Sequence, residues 1–175
     1  MSIKIVMIYD QIQAGAGTKD DKMVPLSGKK EAIGPAIMME PYLKKIDSRV
    51  IACLYCGNGT YLANPDEVSR KLCAMVNKIQ PDVVICGPAF NFKDYASMAA
   101  KVAYDINKTT NVPAFAAMSV ENKETIASYK DKVNIVITPK KGGIGLNEAL
   151  DNMCHLAKAL ASKEEAAELV KKICF

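Results

Sequence analysis

Six cysteines and a single histidine bound the nucleophilic chemistry open to this 175-residue chain. Two of the thiols, Cys56 and Cys86, each end an apolar run and are followed directly by glycine. A thiol at such a position can face a ligand or a partner's redox group, with a reactivity set by how far its surroundings lower its pKa. Cys53 and Cys56 form a C-x-x-C pair, but they lie in an extended run, where residues three apart face opposite sides. No second pair accompanies them to complete a zinc set. Cys53 is therefore assigned to the core, Cys73 and Cys154 to helices, and Cys174 to the region near the terminus. His155 falls off the apolar face of its helical stretch, which argues against a triad built on imidazole. The other polar candidates are Gln11, Asn58, Asn91, Glu121 and Asn122, with Gly15 and Gly17 beside the first of them. Glycines let a ligand approach the backbone closely. Glu121 can pair with an ammonium group, while Asn58 and Asn91 can orient a carboxylate. The competing role for these side chains is capping and turn formation.

What places these residues together is the pattern around them. Apolar runs at residues 3–9, 49–56, 82–86, 112–118 and 133–138 are nearly continuous, as expected of strands buried on both faces. Helical signals lie between them. Asn64, Pro65 and Glu67 form a helix start that Pro81 closes. A second helix is expected over 95–107. Leu146, Leu150, Met153, Ala157 and Leu160 share one helical face, and Ser162 with Glu165 has the spacing of a capping box for a last helix. Pro35 opens a helix toward Lys45, with Pro41 in its path. Residues 10–34 form a long glycine-bearing connection, and such loops tend to be functional.

Alternating strands and helices predict a three-layer αβα domain over residues 1–175, with a mainly parallel five-stranded sheet. The expected order is the flavodoxin-like or Rossmann-like 2-1-3-4-5. In such sheets ligands bind beyond the carboxyl ends of the strands, where every candidate above falls. Gly15 and Gly17 lack the third glycine of a dinucleotide fingerprint. Gly142, Gly143 and Gly145 precede a helix and fit either an anion cradle or a tight strand-to-helix turn.

The net charge of +4 is spread along the chain as Lys29-Lys30, Lys44-Lys45 and Lys140-Lys141. Nucleic-acid binders carry a clustered basic face, so no nucleic-acid partner is expected. No apolar run reaches the length of a membrane span. Residues 1–9 lack the basic start and cleavage site of a signal peptide. Cysteines in such a chain point to reduced thiols and a cytoplasmic location.

Several short motifs are shared, in order, with a known family. Residues 11–17 (QIQAGAG), Ala32-Ile33-Gly34-Pro35, Cys56-Gly57-Asn58 with Tyr61, Gly87-Pro88-Ala89-Phe90-Asn91, and Glu121-Asn122 together resemble the N-terminal half of the selenoprotein B family of glycine, sarcosine and betaine reductases. The resemblance implies a subunit or standalone relative of a complex that reductively cleaves the C–N bond of small amino-acid-derived substrates. It implies no cofactor in this chain. A pyruvoyl group, which forms a Schiff base with the substrate amine, and selenocysteine are expected on partner subunits, including a selenoprotein carrier. Homo-oligomerisation is left open. In this reading Cys56 and Cys86 are the catalytic thiols, and Gln11, Gly15, Gly17, Asn58, Asn91, Glu121 and Asn122 bind the substrate. The competing reading is a non-catalytic small-molecule or protein-binding module on the same fold; a weaker one is a nucleotide-binding protein.

Overall fold

The computed structural model describes residues 2–175. Its core is the strand pair predicted from the first two apolar runs. β1 (Ile3–Tyr9) lies in the sheet interior, parallel to β3 (Ser48–Tyr55) on one side and β4 (Val83–Cys86) on the other. β5 (Ala114–Met118) and β6 (Ile135–Ile137) continue the parallel sheet. Ile5 to Tyr9 and Val83 to Cys86 are fully buried, which is why these runs carry no polar alternation.

The expected strand count is corrected. The sheet has six strands, in the order β2-β3-β1-β4-β5-β6. The extra strand, β2 (Ser27–Lys29), pairs antiparallel with the outer edge of β3. Its three residues, Ser-Gly-Lys, contribute backbone hydrogen bonds and no buried side chain, so hydrophobic periodicity gives no sign of it. The other five strands keep the relative positions expected of them. The long connection is also more ordered than a loop: the carbonyl of Lys22 accepts from the amides of Gly59 and Thr60, and that of Val24 accepts from Gly57. Residues 22–29 thus form a strap across the end of β3.

The helices form two groups that sandwich β1 and β4. α1 (Pro35–Lys44), α6 (Leu146–Ala161) and α7 (Ala167–Ile173) make one; α2 (Asn58–Ala63), α3 (Pro65–Ile79), α4 (Lys93–Thr109) and α5 (Lys123–Tyr129) make the other. α3 buries Val68, Leu72 and Val76, one face at four-residue spacing. α1 runs through Pro41 to Lys44. Buried tyrosines peg helices to the central strand. Tyr95 of α4 donates to the Ile8 carbonyl at 2.7 Å, and the Tyr9 hydroxyl accepts from the Ala36 amide at 2.9 Å while donating to Ile33. The expected Ser162–Glu165 capping box is corrected. Ser162 terminates α6, and the Glu165 carboxylate accepts from the amide of Ala167, where α7 starts.

Candidate functional site

Polar groups gather where the apolar strands end. β1 runs directly into Asp10 and Gln11, both fully buried. One Asp10 oxygen accepts from the Gln13 amide at 2.8 Å and so closes the turn that follows. Gln11 latches two segments together: its Oε1 accepts from the Asn58 amide at 3.0 Å, and its Nε2 donates to the Thr18 carbonyl at 3.3 Å. Gly34, at φ +57°, packs directly on the Gln13 carbonyl, where a side chain would collide; this is the contact that seats α1 against the turn. Gly87 plays a similar part at the end of β4, where an added Cβ would lie 2.7 Å from the Ala117 carbonyl.

Beyond Gly87 the chain turns sharply through Phe90, which has φ +50°. Asn122 holds this turn. Its Nδ2 donates to the Phe90 carbonyl at 2.6 Å and to the Ser119 carbonyl at 3.2 Å. Asn91 then reaches outward, and its Oδ1 accepts from the Lys141 amide at 2.9 Å, joining the loop after β4 to the loop after β6. Asn91, Glu121 and Asn122 line a common crevice of about 210 Å³ with Lys93, Lys123 and Glu124. A neighbouring groove of about 390 Å³ differs in character. Met38, Phe90, Leu146 and Leu150 give it an apolar surface, with Gln13, Lys140 and Lys141 at its polar side.

Among the described residues, three buried side-chain atoms have no hydrogen-bond partner of ordinary geometry: Asp10 Oδ2, Asn58 Oδ1 and Ser119 Oγ. All three sit at carboxyl ends of strands, after β1, β3 and β5 respectively. Buried polar atoms are ordinarily paired, so this end of the sheet holds unused hydrogen-bonding capacity that the other buried side chains among the described residues lack. Burial raises the Asp10 carboxyl above its ordinary value, against the opposing pull of the Gln13 and Ile12 amides and the positive charge of Lys141. Glu121 is exposed and is held below the usual carboxylate range, first by the nearby Ser119 hydroxyl and more weakly by Lys140 and Lys123.

The predicted site residues divide accordingly. Asn91, Glu121 and Asn122 come together in one crevice, with Asn122 as the tether of the Phe90 turn. Gln11 and Asn58 meet each other one strand away, across β1 and β3. Gly15 is an exposed turn glycine at φ +67°, and Gly17 packs against Asp21; neither lines either cavity. The expectation that Cys56 and Cys86 face a cleft is corrected, since both are fully buried. Cys56 lies 3.6 Å from the Met98 sulfur, and burial, with Asp10 nearby, pushes its thiol up to about 12. Burial raises Cys86 still further. All six cysteines are free, and only Cys174 is not fully in the interior. Among the described residues no cluster of side chains suits a metal ion, and no helix is long and apolar enough to cross a membrane. Asp10, Phe90, Ser119 and Lys141 are contributors that residue typing passed over. Asp10 did leave a signal, a carboxylate placed directly after the five buried apolar residues that end β1.

Comparison with known proteins agrees with the motif resemblance. The model of the glycine/sarcosine/betaine reductase selenoprotein B family matches residues 2–172. The chain is 31% identical to a glycine reductase complex component B subunit gamma of Carboxydothermus hydrogenoformans, over 87% of this chain and 34% of that protein. It is 27% identical to a sarcosine reductase complex component B subunit beta of Peptoclostridium acidaminophilum, over 96% of this chain and 37% of that protein. The chain therefore spans about a third of the length of these relatives, a smaller share than the half implied by the motifs. No solved structure matches significantly. With the family model matching 171 of its 175 residues (2–172), the chain belongs to the glycine/sarcosine/betaine reductase selenoprotein B family.

Proposed function

We propose that this chain serves as a subunit of a glycine/sarcosine/betaine-type reductase complex acting in reductive C–N cleavage of small amino-acid-derived substrates. Its part is to build a binding face at the carboxyl ends of the strands, and the reducing groups lie elsewhere. The observation that carries this reading is the clustering of Asp10 Oδ2, Asn58 Oδ1 and Ser119 Oγ, the three buried side-chain atoms among the described residues without a hydrogen-bond partner of ordinary geometry, at that end of the sheet, in a chain of this family. Open parallel sheets take their ligands there. In the crevice, Glu121 offers an exposed, ionised carboxylate to a substrate ammonium, and the free amide group of Asn91 is directed to a carboxylate. Gln11 and Asn122 act as positioning residues.

The burial of Cys56 and Cys86, with thiols raised well out of the thiolate range, supports assigning both to packing and the redox steps to partner chains. In this reading the pyruvoyl group and selenocysteine belong to those partners, with a selenoprotein carrier among them. Six free cysteines suit a reducing cytoplasm, and residues 1–175 act as one α/β domain.

The reading is tested by mixing the purified chain with a pyruvoyl-bearing subunit and a selenoprotein carrier of a reductase of this type and resolving the mixture by size-exclusion chromatography. Co-elution with at least one of them is expected. Separate elution from both at tens of micromolar would contradict the proposal.

A further inference from the structure

The crevice and the groove beside it divide the polar and aromatic chemistry of this end of the sheet. Asn91, Lys93, Glu121, Lys123, Glu124 and Thr125 line the 210 Å³ crevice beside the buried Asn122, and none of them carries an aromatic ring. The rings nearest in sequence, Phe90 and Phe92, flank Asn91 and pack edge to face with centroids 6.5 Å apart. Phe90 is 8% exposed and lines the other groove. The Lys141 ammonium rests over the Phe92 ring, 5.6 Å from its centroid. Neither ring lines the crevice.

Its charges are balanced. Two lysines and two glutamates line it, and Lys93 and Glu124 lie 3.8 Å apart, so they offset each other. Glu121 is in a different position. Among the described residues it makes no ion pair within 4.0 Å, and Lys140 and Lys123 act on it only at longer range. Its exposed carboxylate is therefore open to N–H donors. Asn91 commits its Oδ1 to the Lys141 amide, which leaves its Nδ2 as the donor for a carboxylate. A balanced slot with one open acceptor and one open donor matches a zwitterion.

We infer that the crevice selects its ligand by the number of hydrogens on the nitrogen, taking small α-amino carboxylates that carry N–H groups and discriminating against the fully methylated ones. The inference rests on the reading of this crevice as the substrate site and narrows its substrate class. A primary ammonium offers three N–H groups, a secondary one two and a quaternary one none, all at the same charge. A carboxylate such as Glu121 gains a charge-assisted hydrogen bond only from the first two. A quaternary ammonium is held instead by aromatic faces, which this crevice does not offer. A site arranged to hydrogen-bond an N–H group disfavours the analogue that lacks it.

A ¹⁵N–¹H NMR titration of the whole chain tests this, following the amides of residues 91 and 121–125 with glycine, sarcosine, N,N-dimethylglycine and betaine at pH 7. Affinity should fall with each added methyl group, by about tenfold in all from glycine to betaine, the size expected of hydrogen bonds to a charged group at an open site. Glu121→Gln changes an exposed side chain and is expected to weaken glycine by a similar factor and to flatten the ranking. Asn91→Asp keeps an acceptor for the Lys141 amide and sets a negative charge against the ligand carboxylate, so it should weaken all four ligands alike and preserve the ranking. Equal affinity for the four ligands, betaine binding tightest, or a ranking unchanged by Glu121→Gln would overturn the inference, while the subunit reading, judged by co-elution, would stand. Binding of none of the four would remove the crevice as a substrate site and this inference with it, and co-elution would again decide the subunit reading separately.

Discussion

Replacing Asn122 by alanine removes the side chain that ties the Phe90 turn to the end of β5. Two hydrogen bonds are lost, at 2.6 Å to Phe90 and 3.2 Å to Ser119. Neither carbonyl is orphaned, because Phe90 still accepts from the Ser119 amide at 3.0 Å and Ser119 from the Asn122 amide at 3.2 Å. The cost is therefore that of two net hydrogen bonds, about 2 kcal/mol in all, without the larger penalty of a stranded buried acceptor. In a protein of this length that corresponds to a fall in Tm of about 4–8 °C. The turn holds a non-glycine residue at φ +50°, a conformation that persists only when its surroundings impose it. Release should therefore propagate to Asn91 and from it to the Lys141 amide. Urea denaturation gives the energy, and hydrogen exchange at residues 90–92 and 141 gives the local effect. Asn122→Asp sharpens the test: its carboxylate would face the Phe90 carbonyl, so destabilisation should exceed that of alanine at pH 8 and shrink as acid protonates it. A loss below about 0.5 kcal/mol for Asn122→Ala, with unchanged exchange at Lys141, would refute the tethering role.

Other predictions concern buried ionisable groups. Iodoacetamide at pH 8 should label the half-buried Cys174 first, while Cys56 and Cys86 react only as the whole fold opens; rapid native labelling of either would contradict their burial. Asp10 has its carboxyl raised by burial, so its protonated form favours the folded state. That contribution is complete below the ordinary aspartate value of about 4 and is lost as pH rises through the higher folded value. Asn at position 10 keeps an acceptor for the Gln13 amide and does not titrate. Asp10→Asn should therefore gain stability relative to the wild type between pH 4 and pH 8, and a urea midpoint difference that stays constant over that range would rule this out.

The strands were legible because burial on both faces leaves an unbroken apolar run, as in residues 5–9 of β1. β2 was not, because an edge strand of Ser, Gly and Lys is held by backbone pairing with β3 and carries no hydrophobic pattern. The site was legible at the level of segments, since strand ends are where polar residues interrupt the apolar runs. Side-chain direction was not. Cys56 and Cys86 stand at those ends and turn inward, to Met98 in the case of Cys56; a residue's place in a run fixes its depth poorly at the last position before a turn. Likewise Asn122 has the sequence context of a ligand-binding amide, yet its amide nitrogen is claimed by the carbonyl of Phe90, 32 residues away, and by that of Ser119 in its own loop. Contacts of that kind depend on which loops the topology brings together, and one-dimensional spacing does not encode them.

The central claim, that this chain works as a binding subunit for reducing groups held elsewhere, is tested most directly by C–N cleavage in a reconstituted mixture. Release of ammonia from glycine, or methylamine from sarcosine, is followed with a dithiol, a pyruvoyl-bearing subunit and a selenoprotein carrier, with and without this chain. Turnover should require the chain, should fall at least tenfold with Glu121→Gln, and should be absent with the chain alone. Equal turnover without the chain, or product formed by the chain alone with dithiol, would contradict the account.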